Sequence, residues 1–585
     1  MAHRSGEPHN ASRSVRAADQ PRGLEVSSVN RPPQAVITYK SVDYDISGAL
    51  VGRQSASEGF LRAYVRHGAA EQFTCLSTRL QEIEAFRQYV ARHAPAGALG
   101  AGLLPTEMRK IAATGTLYVP GPDIAHFAWL RRGHGQRSYS ICGLNHTLSE
   151  MLAIEAVGQL LISPMQEWDA LVCTSTVSKQ VIVRLLEEYA DYLVQLTGGE
   201  FKVRPQLSLI PLGVDCAAFI PAEGNAAARA HERERLGISD DEIVLLYFGR
   251  FNHMAKANPA SMYIAAEQAA QRTGKRIRML QVGQFPSEQI EERFHEAAAA
   301  LSPHVVHQFL DGRAAENRRA WFAADIFISF SDNVQESFGL TPIEAMAAGL
   351  PVVVSDWSGY RESVRDGVDG FCIPTIMPPP GMGESLAFLY AARYAPHDTM
   401  VGAAAQSTAV HPMAAANALG RLIQDPELRR RMGSAGAIRA RETFDWPVIV
   451  RAYQRLWAEL AGIRSSAPEA VPPIEGHATR PLAMDPFALF REFPTRFLAA
   501  ATRILPTPGV DVAAAQAMGR LAIAAPVRSI LLDDDELAHL VRRLEQGPAT
   551  LQELAGLFAA TRLQAAWYTV GWLCKTGLAQ WEGLL

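Results

Sequence analysis

The chain has 585 residues, 48% of them hydrophobic, with 56 basic and 60 acidic side chains and a formal net charge of −4. At roughly 100–200 residues per domain this length implies several separate cores, and the near balance of charge excludes a general electrostatic attraction to nucleic acid or to anionic lipid. The six cysteines (Cys75, Cys142, Cys173, Cys216, Cys372 and Cys574) never form C-x-x-C, which argues against a zinc site and a disulfide framework and favours a reducing, cytoplasmic setting.

Residues 1–34 are rich in Arg, Ser, Pro and His and read as a disordered leader, because no apolar segment of signal-peptide type follows them. No apolar run reaches the ~18 residues that a membrane span requires. From residue 35 onward short apolar runs alternate with helical patterns: "AVITYKSV", "QFTCLS", "GTLYVPG", "SYSICGL", "DALVCTS" and "LSLIPLG". After a charged stretch at 229–242 come "EIVLLYFGRF", "RIRMLQVG", "HVVHQFLDG", "DIFISFS", "PVVVSD" and "GFCIPT". Near-continuous apolar runs of this length predict parallel strands covered on both faces, hence two doubly wound, Rossmann-like α/β domains over 35–225 and 226–445. Ligands of such sheets bind outside the carboxyl ends of the strands, so a site between the two domains is expected. Asp43-Tyr44-Asp45 forms a D-x-D, which lacks supporting context after the first strand and reads as a turn.

Residues 376–413 read as an insertion, a loop or lid with some helix, and residues 464–486, rich in Pro, Ala and Ser, as a linker. The remainder, 487–585, is predicted as a mostly helical module whose last part, three helices and a final strand, resembles a winged helix. From Ile530 to Leu585 four basic residues face seven acidic ones, which opposes DNA binding and favours a protein partner or self-association. "DPFALFREFPTRFLAAATRIL" spaces Phe, Leu and Arg as on an amphipathic helix, suited to packing on the catalytic domains or to peripheral contact with the inner face of a membrane.

The stretch "ESFGLTPIEAMAAGLPVVVSD", Glu336 to Asp356, is the most informative. Thr341-Pro342-Ile343-Glu344 has the form of a capping box, Gly349 closes the helix, and "PVVVSD" continues as a buried strand. Glu344 thus has a local task, whereas Glu336, in the loop after "DIFISFS", has none. Gly339, Leu340 and the helix start offer outward backbone N–H groups, and "YFGRFNHMAKANP" sets Arg250 and Lys256 after another strand. Two cations at one strand end and amides at another suit a diphosphate.

"ESFGLTPIEAMAAGLPVVVSD…GYRESVRDGVDGF" resembles the E-x7-E signature of retaining family-4 glycosyltransferases (glycosyl transferases group 1) of GT-B fold. "LIPLGVD", the "FGR…K" loop, "FLDGR", "ADIFIS" and the closing "DPELRRRMGSAGAIRARETFDWPVIVRAYQRLW" extend the resemblance over roughly residues 35–462. It implies a crossover helix at 446–463 and a transfer from a nucleotide-diphosphate sugar to an unidentified acceptor without cofactor or metal. It also implies roles: Glu336 at the donor sugar and reacting centre, Glu344 on the ribose, and Arg250 and Lys256 on the diphosphate. The backbone of Phe338, Gly339 and Leu340 contacts phosphate and sugar, and Arg313 borders the base. In the first domain Gly52 falls in a glycine-containing loop after the first strand, and His146, rather than the nearby His126 or His134, stands beside the donor sugar. Competing readings are a GT-B nucleotide-sugar epimerase or phosphorylase, and a non-catalytic nucleotide-sugar-binding scaffold that signals through 487–585.

Overall fold

Thirteen parallel strands form two sheets in the computed structural model, which describes residues 32–45 and 52–582. The first sheet holds β1 (Val36–Thr38), β2 (Gln72–Leu76), β3 (Leu99–Leu103), β4 (Thr116–Val119), β5 (Ser140–Leu144), β6 (Ala170–Cys173) and β7 (Gln206–Leu209) in the order β3-β2-β1-β4-β5-β6-β7. The second holds β8 (Ile243–Phe248), β9 (Ile277–Gly283), β10 (Val306–Asp311), β11 (Ile326–Ser329), β12 (Val352–Ser355) and β13 (Gly370–Ile373) in the order β10-β9-β8-β11-β12-β13. Each order reverses beside the first strand of its sheet, between β1 and β4 and between β8 and β11, so a crevice opens at that point beyond the carboxyl ends. This is the pair of Rossmann-like domains of a GT-B architecture.

Strand alternation explains why the runs are apolar throughout. In β11, Ile326 and Ile328 enter one core and Phe327 the opposite one, so both faces are covered. β3 was not among the expected strands. Its "LGAGL" looks like a loop, but a Cβ at Gly102 would overlap Ile83 and one at Gly100 would crowd Arg87, so the glycines let helix Leu80–His93 lie flat on the strand.

Two chain crossings join the domains: Val214 N–H donates to Phe444 O (2.8 Å) and Trp446 N–H to Val214 O (3.2 Å). Asp445 caps helix Trp446–Ser466, whose Ile449, Tyr453, Trp457 and Leu460 are buried in the core of the first domain. Gly213 and Gly59 leave room for the Trp446 ring. The segment expected as a linker is instead bound to the first domain over much of its length. Arg132 donates to the carbonyls of Val471 (3.2 Å), Pro472 (3.0 Å) and Thr479 (2.8 Å), and Gln136 N–H to Glu469 (2.6 Å).

Within 376–413 the chain forms helices Glu384–Ala391 and His397–Gln406 and closes a two-stranded ribbon, Thr375–Ile376 with Ala409–Val410. Residues 482–582 form a second compact unit. In it helices Asp534–Glu545, Leu551–Ala555 and Leu563–Lys575 pack with strands Arg503–Pro506, Ala549–Thr550 and Ala579–Trp581 around Ile504, Leu540, Leu551 and Val570. The amphipathic helix expected over 485–505 does not form: only Pro486–Leu489 is helical, Pro494 lies in the middle of the stretch, and Arg503 already belongs to a strand. No helix of the described residues is long and apolar enough to cross a membrane.

Candidate functional site

The loop after β8 is folded by Asn252, whose side-chain carbonyl accepts the N–H groups of Met254 (2.9 Å) and Ala255 (3.0 Å), while its backbone carbonyl accepts Lys256 N–H (2.9 Å). That turn sends Lys256 toward the end of β11, where its ammonium pairs with Glu336; the two side chains are only 19% and 13% exposed. Burial works against the Lys256 charge, but Glu336, with the Tyr360 and Tyr247 hydroxyls beside it, outweighs that effect and holds the ammonium above the ordinary lysine range. Asn333 Nδ2 donates to Met254 O (2.7 Å) and Trp357 Nε1 to Asn333 O (3.0 Å), which tie the β8 and β11 loops together. Arg250 stands half-buried at the start of the β8 loop, and among the described residues no carboxylate pairs with it.

Glu336 and Glu344 therefore differ in their partners, though not as a capping box would have it. The helix runs Thr341–Ala347 with Leu340 at the N-cap and Pro342 in the first turn; Thr341 is already helical and caps nothing. Glu344 donates its N–H to Leu340 O (3.0 Å), but its carboxyl accepts no hydrogen bond among the described residues. Burial pushes that carboxyl up to about 7, with Lys256 opposing. Gly339 has φ +83°, and a Cβ there would overlap the Tyr360 ring. Phe338 is a core residue, edge-on to Phe444 at 6.2 Å, so what it can offer a ligand is backbone. Leu340 is half-buried at the helix start.

Across the cleft, His146 follows β5. Its Nε2 lies 3.2 Å from Pro120 O, burial lowers its pKa to about 4, and its carbonyl accepts the Ser337 hydroxyl. The backbone of His146 thus meets the residue next to Glu336, while its imidazole is held on Pro120 O. Gly52 opens helix Gly52–His67 with open space around it; residues 46–51 of its loop lie outside the described residues. Its neighbour Arg53 acts on His146 electrostatically and lies 3.6 Å from Asp43, where the D-x-D follows directly from a 3-10 turn, Ser41–Asp43, in line with its reading as a turn. Arg313 sits exposed at the rim beyond β10, forked onto Asp311 (2.8 and 3.1 Å).

Three further features were not singled out in the sequence. Gly249, Gly283 and Gly312 follow or end β8, β9 and β10 and lie against one another: a Cβ at Gly283 would overlap Gly249 O, and one at Gly312 would crowd Gly283. Their signal was available, since "YFG", "QVG" and "LDG" each put a glycine at a strand end. Asp332, only 4% exposed, has one carboxyl oxygen on Asn258 N–H (3.3 Å) and the other unpartnered, and burial raises it to about 7. Tyr360 backs Gly339 and donates to or accepts from Ser329 Oγ at 3.1 Å. Among the described residues no group of three or more His, Cys, Asp or Glu side chains is placed to hold a metal ion.

Residues 228–377 match the model of the family described as Glycosyl transferases group 1. The chain is 32% identical over 279 residues to a D-inositol 3-phosphate glycosyltransferase of Streptomyces bingchenggensis, covering 47% of this chain and 51% of that protein. It is 30% identical over 297 residues to the protein of the same name from Kineococcus radiotolerans, covering 48% and 61%. The chain thus spans about half the length of the curated relatives it matches. Anabaena Alr3699/HepE, solved in complex with UDP and glucose, superposes with a TM-score of 0.47 at 15% identity over 73% of this chain and 99% of its own.

Proposed function

We propose that this chain, whose second domain belongs to the glycosyl transferases group 1 family, moves a sugar from a nucleotide-diphosphate sugar to a hydroxyl acceptor with retention of configuration and without a metal. The observation that carries the reading is the Lys256–Glu336 pair at the reversal point between β8 and β11, with the unpaired Arg250 on the same loop. Breaking the sugar–phosphate bond builds positive charge on the sugar and negative charge on the departing diphosphate. Lys256 and Arg250 meet the diphosphate, Glu336 faces the sugar, and Glu344 is free to accept a ribose hydroxyl. The acceptor oxygen bonds to the anomeric carbon on the face the diphosphate leaves, and its proton passes to the departing phosphate oxygen. His146, neutral at pH 7, orients a sugar hydroxyl. The base lies near the ends of β9 and β10, where Gly283 and Gly312 pack backbone on backbone and Arg313 stands at the rim.

Incubation with a panel of nucleotide sugars tests this. Donor consumption that persists in EDTA, with a product anomer matching the donor by NMR, supports the reading; D-inositol 3-phosphate, the acceptor in the relatives' names, is the first acceptor to assay. Interconversion of sugar epimers, phosphate-dependent cleavage, or binding without turnover assigns the chain to the epimerase, phosphorylase or scaffold alternatives instead.

A further inference from the structure

We propose that Glu362 is a positioning residue that closes the cleft by capping, from the second domain, the leading helix end of the first domain's β6 loop. Helix Thr176–Thr197 starts behind Ser175, whose hydroxyl accepts Ser178 N–H (3.1 Å) and donates to Ser337 O (3.0 Å). The next two amides, Thr176 N–H (2.7 Å) and Val177 N–H (3.2 Å), both donate to Glu362 Oε1. First-turn amides have no partner inside their own helix, and a carboxylate there also meets the positive end of the helix dipole.

Glu362 reaches across from a fixed base. It lies on the short helix Tyr360–Ser363, and Arg439 donates to the carbonyls of Glu362 (2.7 Å) and Ser363 (2.9 Å). The first residue of that helix, Tyr360, is the ring that backs Gly339 and sits in the field of Lys256 and Glu336. One rigid turn therefore touches the donor cradle with one residue and holds the opposite domain with another. Ser337 adds to the seam through Ser175 and the His146 carbonyl, and helices Glu384–Ala391 and His397–Gln406 add the Tyr390 hydroxyl, which accepts Met151 N–H (3.0 Å), and His397 Nε2, 3.0 Å from Ser149 Oγ. These bonds hold the backbone of the loops after β5 and β6 against the second domain, and Glu362 is the carboxylate among them that meets two helix amides at once, so its loss loosens the seam at 175–178.

The catalytic consequence rests on the transferase reading, but the closure itself is measurable without turnover. In Glu362→Ala, amide exchange over 175–178 is expected to rise at least tenfold, kcat to fall at least tenfold, and affinity for UDP, GDP or ADP, whichever binds, to stay within twofold, since the diphosphate is held by the second domain. Glu362→Gln keeps an acceptor oxygen without the charge and is expected to fall between; it carries the test alone should the alanine variant fail to fold. Unchanged exchange at 176–177, a kcat within twofold of wild type, or a loss of diphosphate affinity matching the loss of kcat overturns the proposal. Absence of turnover in the wild type with every donor would refute the transferase reading, and the exchange measurement would still decide the latch.

Discussion

Glu336→Gln removes a charge from a pair whose members are 13% and 19% exposed, leaving Lys256 with a neutral partner. A fully buried pair broken on one side loses about 3–5 kcal/mol and an exposed one about 0–1. The partial exposure places this pair at about 2 kcal/mol, which for a domain of about 200 residues is a drop of about 4–8 °C in Tm. Because the folded pKa of Lys256 lies above its unfolded value, the lysine's contribution is full below about pH 10 and is lost as pH rises through the folded value, so thermal melts at pH 7–8 read all of it. Saturating nucleoside diphosphate restores an anion beside Lys256, and the deficit is expected to shrink to less than about 1 kcal/mol while transfer falls by at least about 100-fold. A Tm within about 1 °C of wild type without ligand refutes the pairing. An equal deficit with and without diphosphate refutes the placement of the phosphates at Lys256.

Burial raises the Glu344 carboxyl to about 7, so the native state holds that proton more tightly than the unfolded chain, and stability falls as pH rises from about 4.5 toward 7. Glu344→Gln is accordingly expected to melt higher than wild type at pH 8 and alike near pH 4.5, while binding donor more weakly by calorimetry. Gly339 and Gly349 share a positive φ, 83° and 82°, but only a Cβ at Gly339 meets a neighbour, the Tyr360 ring. Denaturant midpoints should show Gly349→Ala losing about 1 kcal/mol and Gly339→Ala at least about 2 kcal/mol more, with loss of diphosphate binding only in the latter. Arg132→Ala strips the donor from the carbonyls of Val471, Pro472 and Thr479, and limited proteolysis between 467 and 481 is expected to speed up about tenfold.

Most of the fold was legible because parallel strands covered on both faces leave continuous apolar runs, and all six strands of the second sheet coincide with such runs. β3 was hidden for a specific reason. Close approach of helix Leu80–His93 requires glycine at 100 and 102, which removes the side chains a strand reading depends on. The bound segment 467–481 was hidden for the opposite reason: its Pro- and Ala-rich composition is that of a linker, and the donor that holds its carbonyls, Arg132, lies some 340 positions earlier. Composition reports what a segment can do by itself and is silent about a distant side chain that satisfies its carbonyls.

The same limit separates the two glutamates of the site. Glu344 looked like a cap because S/T-x-x-E is a local pattern, yet the helix starts at Thr341 and the half-buried carboxyl is left without a hydrogen-bond partner among the described residues. Glu336 looked unemployed because its partner stands 80 residues away on another strand end. A carboxylate that is dispensable to its own turn and paired with a cation from the neighbouring loop can be re-paired by a ligand at small cost to the fold. The Glu336→Gln melts with and without diphosphate measure that exchange directly, and Glu362, equally without a task inside its own short helix, extends the same logic from the donor cradle to the opposite domain.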